Sequence, residues 1–269
     1  MKLEALHSAG LFCYGGVMCL DIRGRVKPMF SGFEDSVLLS FFEGQSGELI
    51  TDESCKSAAV IAGDFVFTAG ETTLATQLAE RMKNNDDRIF MPCHEGWVSA
   101  LLSADSELET ALRFRTCVPK DGFDVSRLEE LKNRLDAPFA HCAMNGELYR
   151  QALRNDWSRA FVFNFKNEED YLQRAFGQAV TLRGRLVCAA SCYSVYSRGV
   201  EVEIAADPEF RRQGLATAAG AAFLLECIRR ELIPHWDAGN EISLKIAKKL
   251  GYEFKESYVS LRKKGSGMI

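Results

Sequence analysis

The sequence is short of proline, histidine and paired cysteine. Of 269 residues only 6 are proline and 4 are histidine, and none of the 9 cysteines stands in a Cys-x-x-Cys pair. Each shortage excludes something. With so few prolines beside 21 glycines, no large disordered or low-complexity portion is expected. His7, His94, His141 and His235 lack ligand spacing, and we expect no metal. The cysteines run irregularly from Cys13 to Cys227, which argues against a disulfide framework and for a reduced cytoplasm. Excess positive charge is also missing: the net charge is −4, so nucleic acid is not an expected partner. Long apolar runs are absent too. Ala9 to Leu20 is too short to span a bilayer, is broken by Gly10, Gly15 and Gly16, and is followed by no small-residue cleavage site. Neither a membrane partner nor a signal peptide is expected.

What remains is ordinary globular material, with 47% apolar and 26% charged residues. At roughly 150 residues per domain the length suits two domains or one large one. We place the first at residues 1–122 and the second at 123–269, both α/β, with Pro119-Lys120-Asp121-Gly122 as the linker. In the first, Ala58 to Ile61 and Phe65 to Thr68 flank Gly63-Asp64, a tight hairpin. Leu74, Ala75, Leu78, Ala79 and Met82 keep a helical period, and Leu108, Leu112, Phe114 and Val118 alternate as a half-buried strand. Gly70-Glu71-Thr72-Thr73 has some of the look of a phosphate loop, but without the lysine and glycine spacing it reads as a loop and N-cap. Cys93-His94-Glu95 is no triad, because sequence neighbours point to different sides.

In the second domain, Ser126 and Glu129 form a capping box before a helix carrying Leu128, Leu131 and Leu135. Phe161, Phe163 and Phe165 alternate as a strand, and Asn167 caps a helix opening with Glu168, Glu169 and Asp170. Gln178–Leu182 and Arg185–Tyr196 are strands joined at Arg183-Gly184, and Val200–Ala206 is a third. No internal repeat is visible, although both halves contain a hairpin followed by a helix. Cys188 and Cys192 share a strand face as buried thiols.

The chemistry concentrates after that third strand. A turn at Asp207-Pro208-Glu209 leads through Arg211-Arg212-Gln213-Gly214-Leu215-Ala216 into a long helix with Leu215, Ala218, Ala219, Ala222 and Leu225 on one face. A strand that ends in a glycine-containing helix start leaves backbone N–H groups unpaired and aimed outward, at the positive end of the helix dipole. Gly214 admits a phosphate close to the backbone, and Arg211 and Arg212 add charge for a diphosphate. A helix start with two solvated arginines is the bland alternative. Further on, Trp236-Asp237-Ala238-Gly239-Asn240 precedes a helix with Ile242, Ile246 and Leu250 on one face, beside Ser243 and Ala247. Gly251 ends that helix, and Tyr252–Leu261 closes the sheet.

The Arg-x-x-Gly-x-Ala loop at 211–216 and the later Asn240-x-x-Ser243…Leu250-Gly251-Tyr252 resemble the two signature motifs of the GNAT superfamily of acetyl-CoA-dependent acetyltransferases, over about Leu128–Leu261. Asn164-x-Lys166…Tyr171-Leu172, Glu203-Ile204 and Pro234-x-Trp236-x-Ala238-x-Asn240 are similar to the bacterial subgroup that includes the zwittermicin self-resistance acetyltransferase. The resemblance implies a mixed, splayed central sheet flanked by helices (an α+β type of α/β architecture) and acetyl-CoA as co-substrate. It implies that the backbone of Ile204, Ala205 and Ala206 pairs with the pantetheine arm. Arg211, Arg212, Gln213, Gly214, Leu215, Ala216 and Thr217 then hold the pyrophosphate, and Asn240 and Ser243 contact the cofactor near its sulfur.

The implied acceptor is a small-molecule amine. An aliphatic amine with a pKa near 10.4 is neutral in only about one molecule in 2,500 at pH 7, so a base is useful. Glu203 and Glu201 share a strand face, with Glu203 nearer the splay. Solvated residues or arginine partners are the alternative reading of both. An N–H near Ala205 is assigned to the developing oxyanion. Many GNAT enzymes carry a tyrosine seven residues after the asparagine, and here that position is Ala247. A thiol of pKa about 8.5 can leave unprotonated for roughly 2 kcal/mol; otherwise Tyr258, Tyr252 or Ser243 donates the proton. Trp236 is a core or pocket-wall aromatic or a substrate contact, and Asp237 a capping or surface acid. The first domain either closes one side of the acceptor cleft or joins two copies in a homodimer. A catalytically inactive GNAT-like acyl-CoA sensor or scaffold is the other class of function to weigh.

Overall fold

Hairpin signals in the first part of the chain fold as read. In a computed structural model the described residues are 11–13, 19–84 and 88–265, with side chains from Ile22 onward. They divide into two units: one takes the residues up to Leu112 and those from Val259 onward, the other runs Arg113–Tyr258. The division after Leu112 precedes the expected linker, and the last strand returns its end to the first unit. No helix among the described residues is long and apolar enough to cross a membrane. Most of Ala9–Leu20, and His7, lie outside the described residues.

The first unit opens with the antiparallel pair β1 (Leu11–Cys13) and β2 (Cys19–Asp21), then α1 (Ile22–Val26) and α2 (Ser36–Phe42). Asp35 caps α2, its carboxylate accepting from the N–H of Val37 at 2.8 Å. Next come β3 (Glu48–Thr51), β4 (Ser57–Ala62) and β5 (Phe65–Gly70), an antiparallel meander whose β4–β5 turn is at Gly63-Asp64. β4 is buried along its whole length, because α2 covers one face and the other meets the helices that follow. Those are α3 (Ala75–Met82) and α4 (Glu95–Ala104), separated by β6 (Ile89–Pro92), which lies parallel to β5. Trp97 and Leu101 of α4 and Leu78 of α3 fill that core.

β7 (Leu108–Cys117) carries the chain from the first unit's residues into the second's. The expected alternation on this strand fails at Leu112, which is 56% exposed, while Arg113 is 4% exposed. A buried acid partner, described below, reverses the parity.

The second unit holds α5 (Val125–Lys132), β8 (Phe139–Ala143), α6 (Gly146–Leu153), α7 (Glu168–Arg174), β9 (Gly177–Leu182), β10 (Arg185–Tyr196) and β11 (Gly199–Ala206). It continues with α8 (Leu215–Arg229), β12 (Ile233–His235), β13 (Asp237–Ala238), α9 (Glu241–Leu250) and β14 (Glu253–Lys263), of which the end belongs to the first unit. Its sheet has the order β12-β11-β10-β9-β8, antiparallel except for the parallel β11–β12 pair. This is the mixed α/β architecture expected. α8 lies on β9 to β12, with α5 and α9 against it.

Several local readings shift. α5 is capped by Asp124, whose carboxylate accepts from Arg127 N–H at 3.0 Å, not by Ser126. Phe161–Phe165 is not a strand but a run of tight turns closed by bonds such as Phe163 N–H to Arg159 C=O, with Phe161 and Phe165 buried. α8 is buried on nearly every side from Leu215 to Leu224 rather than on one face, as befits a helix between sheet and helices. Its small residues permit this: a Cβ on Gly220 would lie 2.8 Å from Leu250 of α9. On α9, Ile242 is 71% exposed, and the buried face is Ala247 and Leu250. Asn167 and Gly251 take the cap roles assigned to them, Gly251 at φ +110°.

The two units share an order of elements that the sequence conceals. Three antiparallel strands, a loop, a helix and a strand parallel to the third occur as β3-β4-β5, α3, β6 and again as β9-β10-β11, α8, β12.

Replacing the observed cap should cost more than replacing the expected one. Asp124→Ala is expected to lower the unfolding free energy by about 1 kcal/mol and Ser126→Ala by less than about 0.5 kcal/mol, read from urea unfolding of the two variants.

Candidate active site

The second unit's sheet opens where β12 leaves β11. Their pairing covers Gly199 with Ile233, Val200 with Pro234 and Glu201 with His235, and then stops. From Val202 to Ala206, β11 has no strand beside it on that side among the described residues. β12 gives way to β13, which pairs instead with Phe114 and Arg115 of β7. The expected splay therefore exists at Ile204, Ala205 and Ala206.

At the end of this open edge, Asp207 fixes the turn. Its N–H donates to Val187 C=O at 2.9 Å, and its carboxylate accepts from Glu209 N–H at 3.0 Å and from Arg185 Nη2 at 2.6 Å. The chain then adopts left-handed backbone at Arg212 (φ +63°) and at Gly214 (φ +81°), immediately before α8. Alternation of this kind turns successive N–H groups toward one concave side. Among the described residues no protein acceptor meets the amides of Arg212, Gln213, Gly214, Leu215, Ala216 or Thr217; the first helical bond here is Ala218 N–H to Gly214 C=O. No side chain caps α8, and a Cβ built on Gly214 would meet nothing within 4 Å. The site thus offers a ring of donors, a helix N-terminus and open space, a set that fits a diphosphate. Arg212 is exposed, whereas Arg211 also spends its Nε on Ala206 C=O at 3.3 Å.

The corresponding loop of the first unit is closed. Glu71 N–H donates to Lys56 C=O at 2.8 Å, and the Gly70 carbonyl accepts from Trp97 Nε1 at 3.0 Å and lies 3.0 Å from His94 Nε2. Leu74 is the residue that precedes α3 and makes no side-chain cap, so the expected cap from residues 70–73 is not made. An open cleft of about 910 Å³ lies beside this loop, lined by Met29, Lys56, Thr72 and His94 among others. Within it Lys56 and Glu71 make an exposed contact of 3.9 Å. Cys93 is exposed, and partial desolvation raises its thiol.

Near the splay the acids form a network. Glu201 is buried, and its Oε1 accepts from the backbone N–H of Asp237 at 3.0 Å. Asp237 Oδ2 accepts from Arg113 Nε at 2.7 Å and from the Tyr258 hydroxyl at 2.7 Å, and Arg113 Nη2 reaches Asp237 C=O at 3.3 Å. Burial pulls the Arg113 guanidinium down, but the charges of Asp237 and Tyr258 more than offset it, and its pKa stays raised. Arg115 stacks on the Tyr258 ring at 4.7 Å and pairs with Glu256. Glu203 stands across from Ser191, two residues beyond Glu201 on the same face, and is part-exposed.

The other expected residues are distributed as follows. Asn240 caps α9, its Oδ1 accepting from Ser243 N–H at 2.9 Å, and Ser243 Oγ accepts from Trp236 Nε1 at 3.0 Å. Trp236 is buried in the core. Tyr252 is removed as a proton donor: it is buried, its hydroxyl donates to Pro234 C=O at 3.1 Å, and burial raises its pKa. Ala247 is fully buried. Asp237, read as a capping or surface acid, is instead the centre of the network, and Arg113 went unnoticed because its partner lies 124 residues away. Among the described residues no group of three or more His, Cys, Asp and Glu side chains could hold a metal ion.

Comparison with known proteins agrees with this geometry. A sequence model of the GNAT acetyltransferase family matches residues 27–261. A GCN5-related N-acetyltransferase-like protein from Streptococcus suis 89/1591 is similar at 29% identity and TM-score 0.84, over 91% of this chain and 99% of that one. A GCN5-related N-acetyltransferase from Kribbella flavida shares the fold at 14% identity and TM-score 0.55, over 91% and 96%. A tandem GNAT protein from the clavulanic acid biosynthesis pathway does so at 10% identity and TM-score 0.52, over 92% and 95%. No curated protein matches the chain.

Asp237→Ala leaves the buried Arg113 guanidinium without its carboxylate and should cost on the order of 3–5 kcal/mol. The double variant R113M D237L should recover most of that loss, with urea unfolding of wild type and both variants as the measurement.

Proposed function

Since the chain belongs to the GNAT acetyltransferase family, an enzyme family using acetyl-CoA as co-substrate, we propose that it is an N-acetyltransferase moving an acetyl group onto the amine of a small molecule by direct attack on the thioester. The observation that carries this reading is the run of unpartnered amides from Arg212 to Thr217 at the end of an open strand edge. Those amides, with the charge of Arg211 and Arg212, would hold the pyrophosphate. Val202–Ala206, beside which no strand lies on that side among the described residues, would face the amide groups of the pantetheine arm. Acetyl-CoA, when bound, supplies an acyl group already activated as a thioester.

The chain's own residues then manage protons. Glu203 is assigned as the base for the incoming ammonium, with Glu201 as its neighbour and an N–H near Ala205 for the acyl oxygen. Tyr258 is the residue this reading keeps as proton donor to the leaving sulfur in the absence of a tyrosine at Ala247, which requires its hydroxyl to turn from Asp237 Oδ2, the acceptor it meets in this structure. Asn240 and Ser243 position the start of α9. Residues Asn164, Glu203 and Trp236 support the narrower likeness to the zwittermicin-resistance subgroup. The seven cysteines whose side chains are described, all unpaired, support a reduced cytoplasm. The buried Ala247 favours a second reading, an acyl-CoA sensor without turnover.

Calorimetric titration with acetyl-CoA and thiol release over an amine panel separate the two. We expect wild-type binding, at least tenfold weaker binding in Gly214→Val, and about 100-fold slower release in Glu203→Gln with affinity unchanged. Binding without release for any amine supports the sensor; no binding removes both.

A further inference from the structure

Histidine is scarce in this chain, and one of the 4 stands where the second unit's sheet forks. His235 is the last residue of β12, and its pairing with Glu201 is the last before the two strands part. Partners in register share a face, so the His235 side chain lies on the face of Glu201 and Glu203. α8 covers the other face, where a Cβ on Gly220 would lie 3.3 Å from Ile204.

The imidazole is held across three strands. Tyr196 of β10 pairs with Gly199 of β11, and its ring lies over that glycine: a Cβ there would meet Tyr196 Cε1 at 2.8 Å. With no side chain in the way, the Tyr196 hydroxyl reaches past β11 to within 2.9 Å of His235 Nε2. His235 is half-buried, and its Nδ1 is neither bonded nor sealed off among the described residues. One nitrogen is fixed and the other is open, which lets an imidazole take a proton on one side and release it on the other.

The proposed reaction needs such a group. An ammonium and a thioester give an amide, a thiol and one proton, and that proton has to leave the site. Glu203, the assigned base, lies on the same face as His235, with Glu201 between them. The open edge from Ala206 to Val202 ends at the Glu201–His235 pair, far from the amides of 212–217. Tyr196 in turn precedes the exposed Ser197 and Arg198.

We propose that His235 is the proton-carrying residue at the acyl end of the site, taking over from Glu203 the proton of the acceptor's ammonium and releasing it past Tyr196 to solvent. This role rests on the acetyltransferase reading above and adds a proton exit to it. The proton enters at Nδ1, the imidazolium donates its Nε2–H toward the Tyr196 oxygen, and loss to water restores the neutral ring. Burial lowers the imidazole pKa and keeps the ring neutral at pH 7, ready to accept. The titratable groups around it are Tyr196 from β10, Glu201 and Glu203 from β11, and Asp237 two residues on, which Arg113 holds. On α8, at the other face, Glu226 pairs with Arg229 and Arg230. Tyr196 is a positioning residue.

The test follows the imidazole NMR resonances of the full chain against pH, with and without acetyl-CoA, in wild type, His235→Gln and Tyr196→Phe. Acetyl-CoA affinity is measured calorimetrically on the same samples, and thiol release with 1,4-diaminobutane and with glucosamine. The signal missing from His235→Gln identifies His235. Its midpoint should lie below the ordinary imidazole value of about 6.5 and move by at least about 0.3 pH units when acetyl-CoA binds. His235→Gln should release thiol at least about tenfold more slowly and lose the wild-type pH dependence between about pH 5 and 7, with acetyl-CoA affinity within about twofold. Tyr196→Phe, which keeps the ring over Gly199, should slow release roughly two- to fivefold. A His235 titration that bound acetyl-CoA leaves unmoved overturns the proposal, as does wild-type rate and pH dependence in His235→Gln. If His235→Gln does not fold, unchanged release in Tyr196→Phe overturns it. If neither amine is acetylated, the titration alone decides. A wild type that binds no acetyl-CoA is a separate result: it removes the acetyltransferase reading, and this role with it.

Discussion

When β12 parts from β11 after Glu201 and His235, two sets of backbone groups lose their partners together. One is the far edge of β11. The other is the turn that follows, because a strand freed on one side can be bent into α8 without a neighbour filling the space. Asp207 holds the bend through its bonds to Val187, Glu209 and Arg185. The left-handed residues Arg212 and Gly214 then aim the amides outward. Backbone donors left unpaired beside a helix N-terminus are an unstable arrangement in isolation and a useful one beside an anion.

The first unit shows what happens when the same order of elements closes. β5 and β6 pair from Phe65 through Thr68, which leaves only Ala69 and Gly70 beyond the pairing. The loop there bonds to Lys56, Trp97 and His94. Its helix α3 has 8 residues where α8 has 15. In the first unit Glu71 N–H is spent on the Lys56 backbone carbonyl and the Gly70 carbonyl accepts from Trp97, whereas the amides from Arg212 to Thr217 meet no protein acceptor among the described residues. The family match from residue 27 onward, well before the region whose motifs carry the resemblance, accords with a shared topology in both.

Short-range features were legible in the sequence. The Gly63-Asp64 hairpin, the Asn167 cap, the Gly251 stop and the loop at 211–216 each rest on backbone preferences of a few adjacent residues. What the sequence hid depends on distant partners. Arg113 reads as an exposed strand position until Asp237, far along the chain, is brought to it. Phe161, Phe163 and Phe165 alternate like a strand, yet the segment closes on itself through turn bonds to Ser158 and Arg159. α8 reads as one-sided because its alanines and Gly220 look like filler, whereas they are what lets α9 approach. Asp237 carried no signal of its own beyond its neighbour Trp236.

The most direct measurement is an amide spectrum of the deuterated chain with and without acetyl-CoA. The N–H resonances of Gln213, Gly214, Leu215 and Ala216 should shift and exchange with solvent at least tenfold more slowly when the ligand is present, with smaller shifts along Val202–Ala206. If those amides stay unchanged while the ligand binds elsewhere, for instance at the loop of Gly70 to Thr73, the donors at the head of α8 are not the site.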